Sequence, residues 1–255
     1  MLYNSVLKEF DEVYQAIEDL RSLGLFPHHN RVKSWDTFKM INIINQAADR
    51  SSSILDIGCE GSPILPMLKR LGFRNLYGCD LVLKKKYLGL MKLVYSFYKR
   101  DYKPILEMYE SKNFNISVQD LQKTEFQMEK FDYITSLSVI EHGINIQNYF
   151  KEMNRIMKKD GILLTSTDYW PDKLVNVINT KDNRSSNNNN DDDNSPDVVF
   201  SREEMEQNVI KIAEENGFIL TEPINFAYKG KVVHWNATSL DYTFIFFALR
   251  KNRSA

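Results

Sequence analysis

The order of apolar and polar positions along the chain predicts strands that alternate with helices. Short apolar runs, typical of buried strands, occur at residues 53–57, 75–81, 115–121, 131–138 and 162–170. Amphipathic stretches, with apolar residues every three or four positions, separate several of these runs. The run at 131–138 is almost continuously apolar, as in a central parallel strand. The pattern therefore predicts an α/β fold with a largely parallel sheet.

Both ends of the chain depart from this alternation. At the N-terminus, the apolar spacing predicts one amphipathic helix over residues 4–23 and a second helix from about Ser34. Near the C-terminus, residues 218–226 and 242–249 are predicted to form an antiparallel pair of strands at one edge of the sheet. The polar stretch at 180–197 has too few apolar residues to build a core, so we expect a mobile loop there.

A glycine turn follows the first of the apolar runs, within residues 53–63. The strand is predicted to end near Asp56, and the chain turns at Gly58 and Gly61 before a helix begins. In an open α/β sheet, such a turn lies at the crevice where ligands bind. The full glycine pattern of a dinucleotide site is missing, while Asp56 and Glu60 place acid at the turn. These residues favour a ligand with positive charge over a pyrophosphate.

A second acid, Asp80, ends the next predicted strand. Nucleotide-binding folds place an acid at this position, roughly 20 residues after the glycine turn. A carboxylate suits it because its two oxygens accept hydrogen bonds from two ribose hydroxyls. The spacing therefore predicts that Asp80 binds a ribose.

These residues resemble the first motif of the class I S-adenosylmethionine-dependent methyltransferases, (D/E)-x-G-x-G-x-G. Asp56 and Gly58 match the motif, Glu60 replaces its second glycine, and Gly61-Ser62 replace its last part. The segment FDYITSLSVIEHG, residues 131–143, closely resembles the fourth motif of the small-molecule, type 11-like branch of the family. The resemblance implies S-adenosylmethionine as the cofactor.

The same resemblance implies where that cofactor is bound. Asp120-Leu121 is similar to the family's pair of an acid, which meets the adenine amino group, and an apolar residue, which packs on the ring. The implied cofactor contacts are Asp56, Gly58, Glu60, Gly61, Asp80, Leu81, Asp120, Leu121, Ser136 and Leu137.

The resemblance also implies an architecture. It is an α/β, Rossmann-like, seven-stranded methyltransferase sheet, mostly parallel with a C-terminal antiparallel hairpin, plus N-terminal helices. Residues 1–49 would form a helical cap, and residues 50–255 the methyltransferase domain, with insertions at 82–113 and 180–197. In the cap, we consider four pocket candidates: His28, His29, Trp35 and Asp36. Simple packing of these helices against the sheet is the alternative interpretation.

The implied activity is methyl transfer to a small-molecule acceptor, such as a sugar or an aromatic metabolite. A base is needed only if the acceptor carries a proton of high pKa, and His142, with Glu141 beside it, is the candidate. The alternative for His142 is a contact with the cofactor edge or with solvent. Some relatives hold a divalent metal with E-x-x-E-H here, but Ser138 replaces the first acid, so we predict no metal site.

Two other functions stay open at this stage. Because Glu60 departs from the motif, the chain could be a non-catalytic module that binds S-adenosylmethionine or another protein. A methyltransferase acting on a lipid-linked or nucleic-acid acceptor is the second alternative. Its motivation is the basic segment of residues 83–103. The alternatives for Lys84, Lys85 and Lys86 are a weak contact with an anionic surface and a basic face that is exposed to water.

Composition changes this picture little. The chain has 255 residues, a formal net charge of −1 and 43% hydrophobic residues, which is ordinary for a globular protein and gives no reason to expect a stable nucleic-acid partner. Its two cysteines, Cys59 and Cys79, favour a reducing compartment. No apolar run is long enough for a transmembrane segment. We therefore expect a cytoplasmic location.

Overall fold

The computed structural model of the protein describes residues 4–81, 114–174, 198–235 and 240–252. Both predicted insertions, 82–113 and 180–197, lie outside these residues. So does the basic segment with Lys84, Lys85 and Lys86.

Within the described residues, nine strands form one mixed sheet. The strands are β1 Ser5–Val6, β2 Ser53–Ile57, β3 Asn75–Asp80, β4 Asn115–Val118, β5 Phe131–Leu137, β6 Met157–Tyr169, β7 Phe218–Leu220, β8 Val233–Trp235 and β9 Leu240–Lys251. Their order is β1-β9-β6-β5-β2-β3-β4, and β7 and β8 also pair with β9. Strands β2 to β6 run parallel to one another. Strand β9 pairs antiparallel with β1, β6, β7 and β8.

Helices cover both faces of this sheet. They are α1 Phe10–Ser22, a 3₁₀ turn Arg31–Lys33, α2 Ser34–Ala47, α3 Ile64–Arg70, α4 Ile146–Ile156, α5 Arg202–Glu204, a π-helical segment Met205–Ile210 and α6 Lys211–Glu215. The N-terminus of α4 is capped by Asn145, and that of α5 by a capping box of Ser201 and Glu204. Gly24 ends the α1 region in a left-handed conformation, as its position predicts.

Two apolar layers hold the helices on the sheet. The first three helices share a core with one face of β9, which contributes Tyr242, Phe244, Phe246 and Ala248. The other face of β9, with Ile245, Phe247 and Leu249, packs in a core with α4 and the π-helical segment. This alternation along β9 is the two-residue period of a strand that is buried on both faces.

The predicted fold class is confirmed, with one correction at the N-terminus. The sheet is mostly parallel and carries antiparallel strands from the C-terminal part of the chain, and β1 and β8 add to the seven strands expected. The helix predicted over residues 4–23 instead begins at Phe10. Ser5 and Val6 pair with Phe246 and Ile245, so tertiary hydrogen bonding overrides the local helical pattern there.

A membrane span is not found in the part of the chain that the structure describes. None of the helices there is both long enough and apolar enough to cross a bilayer.

Candidate functional site

The glycine turn after β2 lies at the carboxyl end of the parallel strands. Gly58 has a φ of 63°, and a Cβ built on it would lie 2.6 Å from Cγ2 of Val139. Gly61 has a φ of 79°, and among the described residues no atom lies within 4 Å of its Cβ position. Gly58 therefore allows the turn to pack against the loop after β5, whereas Gly61 faces open space.

Asp56 lies beneath this turn, inside the sheet. Its side chain is buried, and the hydroxyl of Thr135 on β5 donates a 2.6 Å hydrogen bond to Oδ1. Burial raises the pKa of Asp56 to about 7, although the hydroxyls of Thr135 and Ser62 act in the opposite direction. Asp80 raises this pKa slightly further. Asp56 thus joins β2 to β5 below the turn.

Asp80 lies next to the turn, as its predicted role requires. It is the last residue of β3, and its Oδ2 accepts a 3.0 Å hydrogen bond from the backbone N–H of Glu60. A second link runs from the Cys59 N–H to the Cys79 carbonyl, at 3.2 Å. The backbone N–H groups of the turn therefore hold the end of β3, with the Asp80 carboxylate, next to Glu60. A sequence motif does not reveal these hydrogen bonds.

The other implied cofactor residues lie along the same edge of the sheet. Leu81 is 49% exposed, directly after β3. Asp120 is exposed beyond β4 and accepts a 2.9 Å hydrogen bond from the Gln122 N–H, while Leu121 is buried. Ser136 and Leu137 end β5 and are buried.

Glu141 and His142 follow β5 but have different surroundings. Glu141 is 2% exposed, and its Oε2 accepts a 3.0 Å hydrogen bond from the Thr167 hydroxyl on β6. Burial raises the pKa of Glu141, with Asp168 as a second cause, while Lys33 and His142 lower it. The side chain of His142 is exposed. The two predicted catalytic residues are thus neighbours in the chain with opposite solvent access.

A polar cluster, consisting of Lys33, Asp36, Ser138 and Asp168, lies at the ends of β5 and β6. The Lys33 ammonium donates a hydrogen bond to the Ser138 hydroxyl and lies 3.9 Å from Oδ1 of Asp168. Asp36 is buried on α2, and its Oδ2 accepts a 2.9 Å hydrogen bond from the Ser166 hydroxyl. Burial raises the pKa of Asp36 to about 6, although Lys33 lowers it.

Of this cluster, sequence reasoning proposed only Asp36 as a site residue. The one local signal for Lys33 is its position three residues before Asp36, which places both side chains on the same side of the helix start. Asp168 lies near the end of a predicted strand, where ligand-binding residues concentrate. The contact between Lys33 and Asp168 depends on the tertiary fold, and no spacing in the sequence indicates it.

The remaining candidates from the N-terminal region pack locally. His28 is buried, its backbone N–H donates to the Ser34 hydroxyl at 3.1 Å, and its ring lies 4.2 Å from that of His29. Burial, with the nearby charge of His29 and of Lys33, lowers the pKa of His28. The indole N–H of Trp35 donates a 3.0 Å hydrogen bond to Glu12 on α1. Trp35 therefore helps to join α1 to α2.

Metal-ligating side chains do not converge in the described ranges. There, no group of three or more His, Cys, Asp or Glu residues has an arrangement that could hold an ion.

The residues at this edge fit S-adenosylmethionine. The open space at Gly61 leaves room for a ligand against the turn, which a side chain would fill. The Asp80 carboxylate lies beside the turn, because it accepts a hydrogen bond from the Glu60 N–H. Leu121, which is buried, is an apolar residue further along the same edge of the sheet. This combination of a bare turn, an acid and an apolar residue matches the ribose and adenine contacts implied by the sequence.

Comparison with known proteins identifies the family of the chain. A family model described as a methyltransferase domain matches residues 32–220. The ubiquinone biosynthesis O-methyltransferase of Pelagibacter ubique (strain HTCC1062) is 28% identical over 133 residues, which are 49% of this chain and 49% of that protein. The chain thus aligns with about half the length of this curated relative.

Two solved structures show the similarity of fold. The 1,6-didemethyltoxoflavin-N1-methyltransferase of Burkholderia thailandensis, with 1,6-didemethyltoxoflavin and S-adenosylhomocysteine bound, has a TM-score of 0.52 at 13% identity, covering 96% of this chain and 92% of that one. Phosphoethanolamine N-methyltransferase 2 of Haemonchus contortus, in complex with S-adenosyl-L-methionine, has a TM-score of 0.50 at 15% identity, covering 83% and 51%. The fold agrees with this family match, and the chain belongs to the methyltransferase-domain family.

Proposed function

We propose that this protein is a class I S-adenosylmethionine-dependent methyltransferase that transfers the methyl group to a small-molecule acceptor, such as a sugar or an aromatic metabolite. The observation that carries the proposal is the polar cluster at the ends of β5 and β6, beside the glycine turn. It offers hydrogen-bonding and charged groups at the place where an acceptor would meet the cofactor. Trp170, which directly follows β6 and is packed 5.2 Å from the ring of Tyr228, adds aromatic surface nearby.

The proposed cofactor contacts are those implied by the sequence. We assign the ribose hydroxyls to Asp80 and the adenine to Asp120 and Leu121. The position of Asp80 at the end of β3 and that of Asp120 and Leu121 after β4 support this assignment. S-adenosylmethionine supplies a methyl group on a sulfonium, a leaving group that is already activated. The chain's own residues then have to position the acceptor and exclude water, which can supply much of the rate.

We further propose that His142 removes a proton from acceptors that need a base. Its side chain is exposed, so it can reach a bound acceptor, whereas Glu141 is buried and held by Thr167. We therefore assign Glu141 a positioning role at the start of this loop.

Residues 1–49 are proposed to act as a cap over the acceptor. Support comes from Lys33 and Asp36, which reach the strand ends from the start of α2. We also propose a cytoplasmic location, in line with two buried cysteines that are not joined in a disulfide.

The names of the similar proteins support a small acceptor. The Pelagibacter relative is named for O-methylation in ubiquinone biosynthesis, and the Burkholderia structure contains the small molecule 1,6-didemethyltoxoflavin. A lipid-linked or nucleic-acid acceptor would have to be supported by the basic segment around Lys84, which lies outside the described residues.

A panel assay tests this proposal. The full chain is incubated with methyl-labelled S-adenosylmethionine and a mixture of phenols, sugars, amines, short RNA and anionic lipid vesicles, and products are identified by mass spectrometry. We expect label in a small molecule. Label only in RNA or lipid would contradict the proposed acceptor class, and cofactor binding without any transfer would favour the non-catalytic module.

A further inference from the structure

We infer that Lys33 determines acceptor specificity: its ammonium binds the acceptor oxygen that receives the methyl group and favours the ionised form of that oxygen. The inference deepens the proposed function and rests on it. Small-molecule methyl transfer by itself requires neither an oxygen acceptor nor a lysine.

The first argument is the position of the Lys33 ammonium. Lys33 ends the 3₁₀ turn before α2, and its side chain reaches the Ser138 hydroxyl directly after β5. The Ser138 N–H donates a 3.0 Å hydrogen bond to the Ser166 carbonyl on β6. The ammonium therefore lies where the carboxyl ends of β5 and β6 adjoin, at the ligand-binding edge of the sheet.

The second argument is the short path from this ammonium to the cofactor turn. Ser138 has a left-handed φ of 54°, which is uncommon for a residue other than glycine. Val139, the next residue, packs so closely on Gly58 that a Cβ there would lie 2.6 Å from it. Ser138 thus contacts the Lys33 ammonium, and Val139 contacts the glycine turn at Gly58. An acceptor oxygen bound by Lys33 is placed next to the cofactor.

The third argument is the chemistry of the ammonium. Its 3.9 Å separation from Asp168 is too long for a hydrogen bond, so this pair is a loose one. An ammonium has three N–H donors, which point in different directions. The Lys33 side chain is 16% exposed, and its Nζ lies 4.0 Å from the centre of the Phe244 ring. In such a partly buried place, a cation attracts an oxyanion more strongly than it does in water.

Neighbouring ionisable groups shape the charge at this place. Five ionisable groups lie near Lys33 or near the carboxylates around it. They are His28 in the loop before the 3₁₀ turn, Asp36 on α2, Glu141 and His142 after β5, and Asp168 on β6. Burial favours the neutral forms of Asp36 and Glu141. These two carboxyl groups therefore do not fully cancel the charge of Lys33 near neutral pH.

The acceptor class that fits is a weakly acidic hydroxyl, as in a phenol or an enol. Its proton is released to solvent, and the oxygen keeps the electron pair. That pair forms the new bond to the methyl carbon, while the bond from carbon to sulfur breaks and its pair stays on sulfur. A protonated amine is repelled by Lys33, which makes amine acceptors poor substrates.

The test uses 4-nitrocatechol, whose visible spectrum distinguishes the phenol from the phenolate. The probe is titrated into the full chain saturated with S-adenosylhomocysteine, over a range of pH. With the wild-type protein, we expect the bound probe to ionise at lower pH than the free probe. Lys33→Met should abolish this shift and weaken phenolate binding by about tenfold or more, as expected for the loss of a hydrogen bond to a charged group.

Two further variants control this experiment. Lys33→Arg keeps the cation and should retain much of the shift, which a purely structural role would not explain. Lys39→Met, on the neighbouring helix α2, removes a cation that lies over the Trp35 ring and donates a hydrogen bond to Ser5, and it should behave as the wild type. Circular dichroism shows whether each variant is folded, and Lys33→Gln serves if Lys33→Met is not.

Three results would overturn the role of Lys33: no binding of the probe to the wild-type protein, a bound probe that ionises as it does in water, or unchanged binding by the folded lysine variants. Calorimetric binding of S-adenosylhomocysteine is measured on the same samples. A wild-type protein that fails to bind it would contradict the proposed function itself.

Discussion

Gly58 and Gly61 share a left-handed backbone but differ in their surroundings. At Gly58 a side chain would collide with Val139, whereas at Gly61 the described residues leave open space. The sequence motif identifies both glycines and does not distinguish these two reasons. Glu60, between them, departs from the family's motif, yet its backbone N–H still holds the Asp80 carboxylate at 3.0 Å. A backbone hydrogen bond therefore keeps Asp80 beside the turn, although Glu60 replaces a glycine of the motif.

Gly61→Ala should weaken cofactor binding more than it weakens the fold. Gly24 is its matched control, because its φ of 71° and its lack of described neighbours within 4 Å resemble those of Gly61. Both alanine variants should lose about 1–2 kcal/mol of unfolding free energy, the cost of a left-handed alanine. Only Gly61→Ala should reduce affinity for S-adenosylmethionine by calorimetry. Equal affinities in the two variants would mean that the cofactor does not lie against Gly61.

Asp80→Asn tests the ribose contact separately from the shape of the turn. The asparagine carbonyl can still accept the hydrogen bond from the Glu60 N–H, while the negative charge is lost. We expect S-adenosylmethionine to bind about 1.5–3 kcal/mol more weakly, as for hydrogen bonds to a charged group. Asp160→Asn is the control, since Asp160 is an exposed residue in β6 with a φ of 61° that asparagine tolerates. Unchanged affinity of Asp80→Asn would remove Asp80 from the cofactor site.

At the scale of elements, the N-terminal strand shows where local pattern fails. The apolar spacing predicted a helix from residue 4, but β1 pairs with β9 over Ser5 and Val6. A two-residue strand has no detectable period, and its existence depends on a partner at the far end of the chain. By contrast, helix α2 begins at Ser34 as predicted, because its amphipathic pattern spans several turns.

Asn4→Ala should measure how strongly this first segment is held. The Asn4 side chain is buried, accepts a 2.9 Å hydrogen bond from the Ala248 N–H and donates a 2.7 Å one to the Glu222 carbonyl. Removal of its amide leaves both partners unsatisfied, so we expect a loss of about 1–3 kcal/mol in chemical denaturation. Asn148→Ala, at an exposed position on α4, should change stability by less than about 0.5 kcal/mol. If the two variants were equally stable, the β1 contacts would not stabilise the fold.

For the whole molecule, the sequence predicts the parallel half of the sheet better than the site it supports. Each of β2, β3, β5 and β6 contains a short apolar run, because both faces of the central sheet are buried. The strand ends follow from these runs, and with them the positions of Asp80 and Asp120. Lys33 and Asp168 lie far apart in the chain, and only the packing of α2 on the sheet brings them together. Such contacts carry no sequence period and need a structure.

Burial of Asp36 and Asp56 should lower the free energy of unfolding as pH rises from about 4 to 7. Burial raises the pKa of Asp36 from 3.8 to about 6 and that of Asp56 from 3.8 to about 7. In this window the folded state binds more protons than the unfolded state, so the free energy of unfolding falls with pH.

Asp36→Asn isolates one of these groups. At about 1.4 kcal/mol per pKa unit, the variant should gain up to ~3 kcal/mol relative to the wild type between pH 4 and pH 7 in urea denaturation. The hydrogen bond from Ser166 lowers the pKa of Asp36, so its effect is already included in this pKa. Asp11→Asn, at an exposed position on α1, should follow the wild type. A constant difference between Asp36→Asn and the wild type across this range would show that Asp36 ionises normally in the folded protein.

The most direct test of the account as a whole is a titration of the full, ligand-free chain with S-adenosylmethionine, followed by thermal unfolding. The glycine turn, Asp80 and the family match together predict that the cofactor binds to the folded protein. At a concentration about 100 times its Kd, it should stabilise the fold by about 2.7 kcal/mol and raise the Tm accordingly. Folded protein whose Tm does not change at millimolar S-adenosylmethionine would contradict the account.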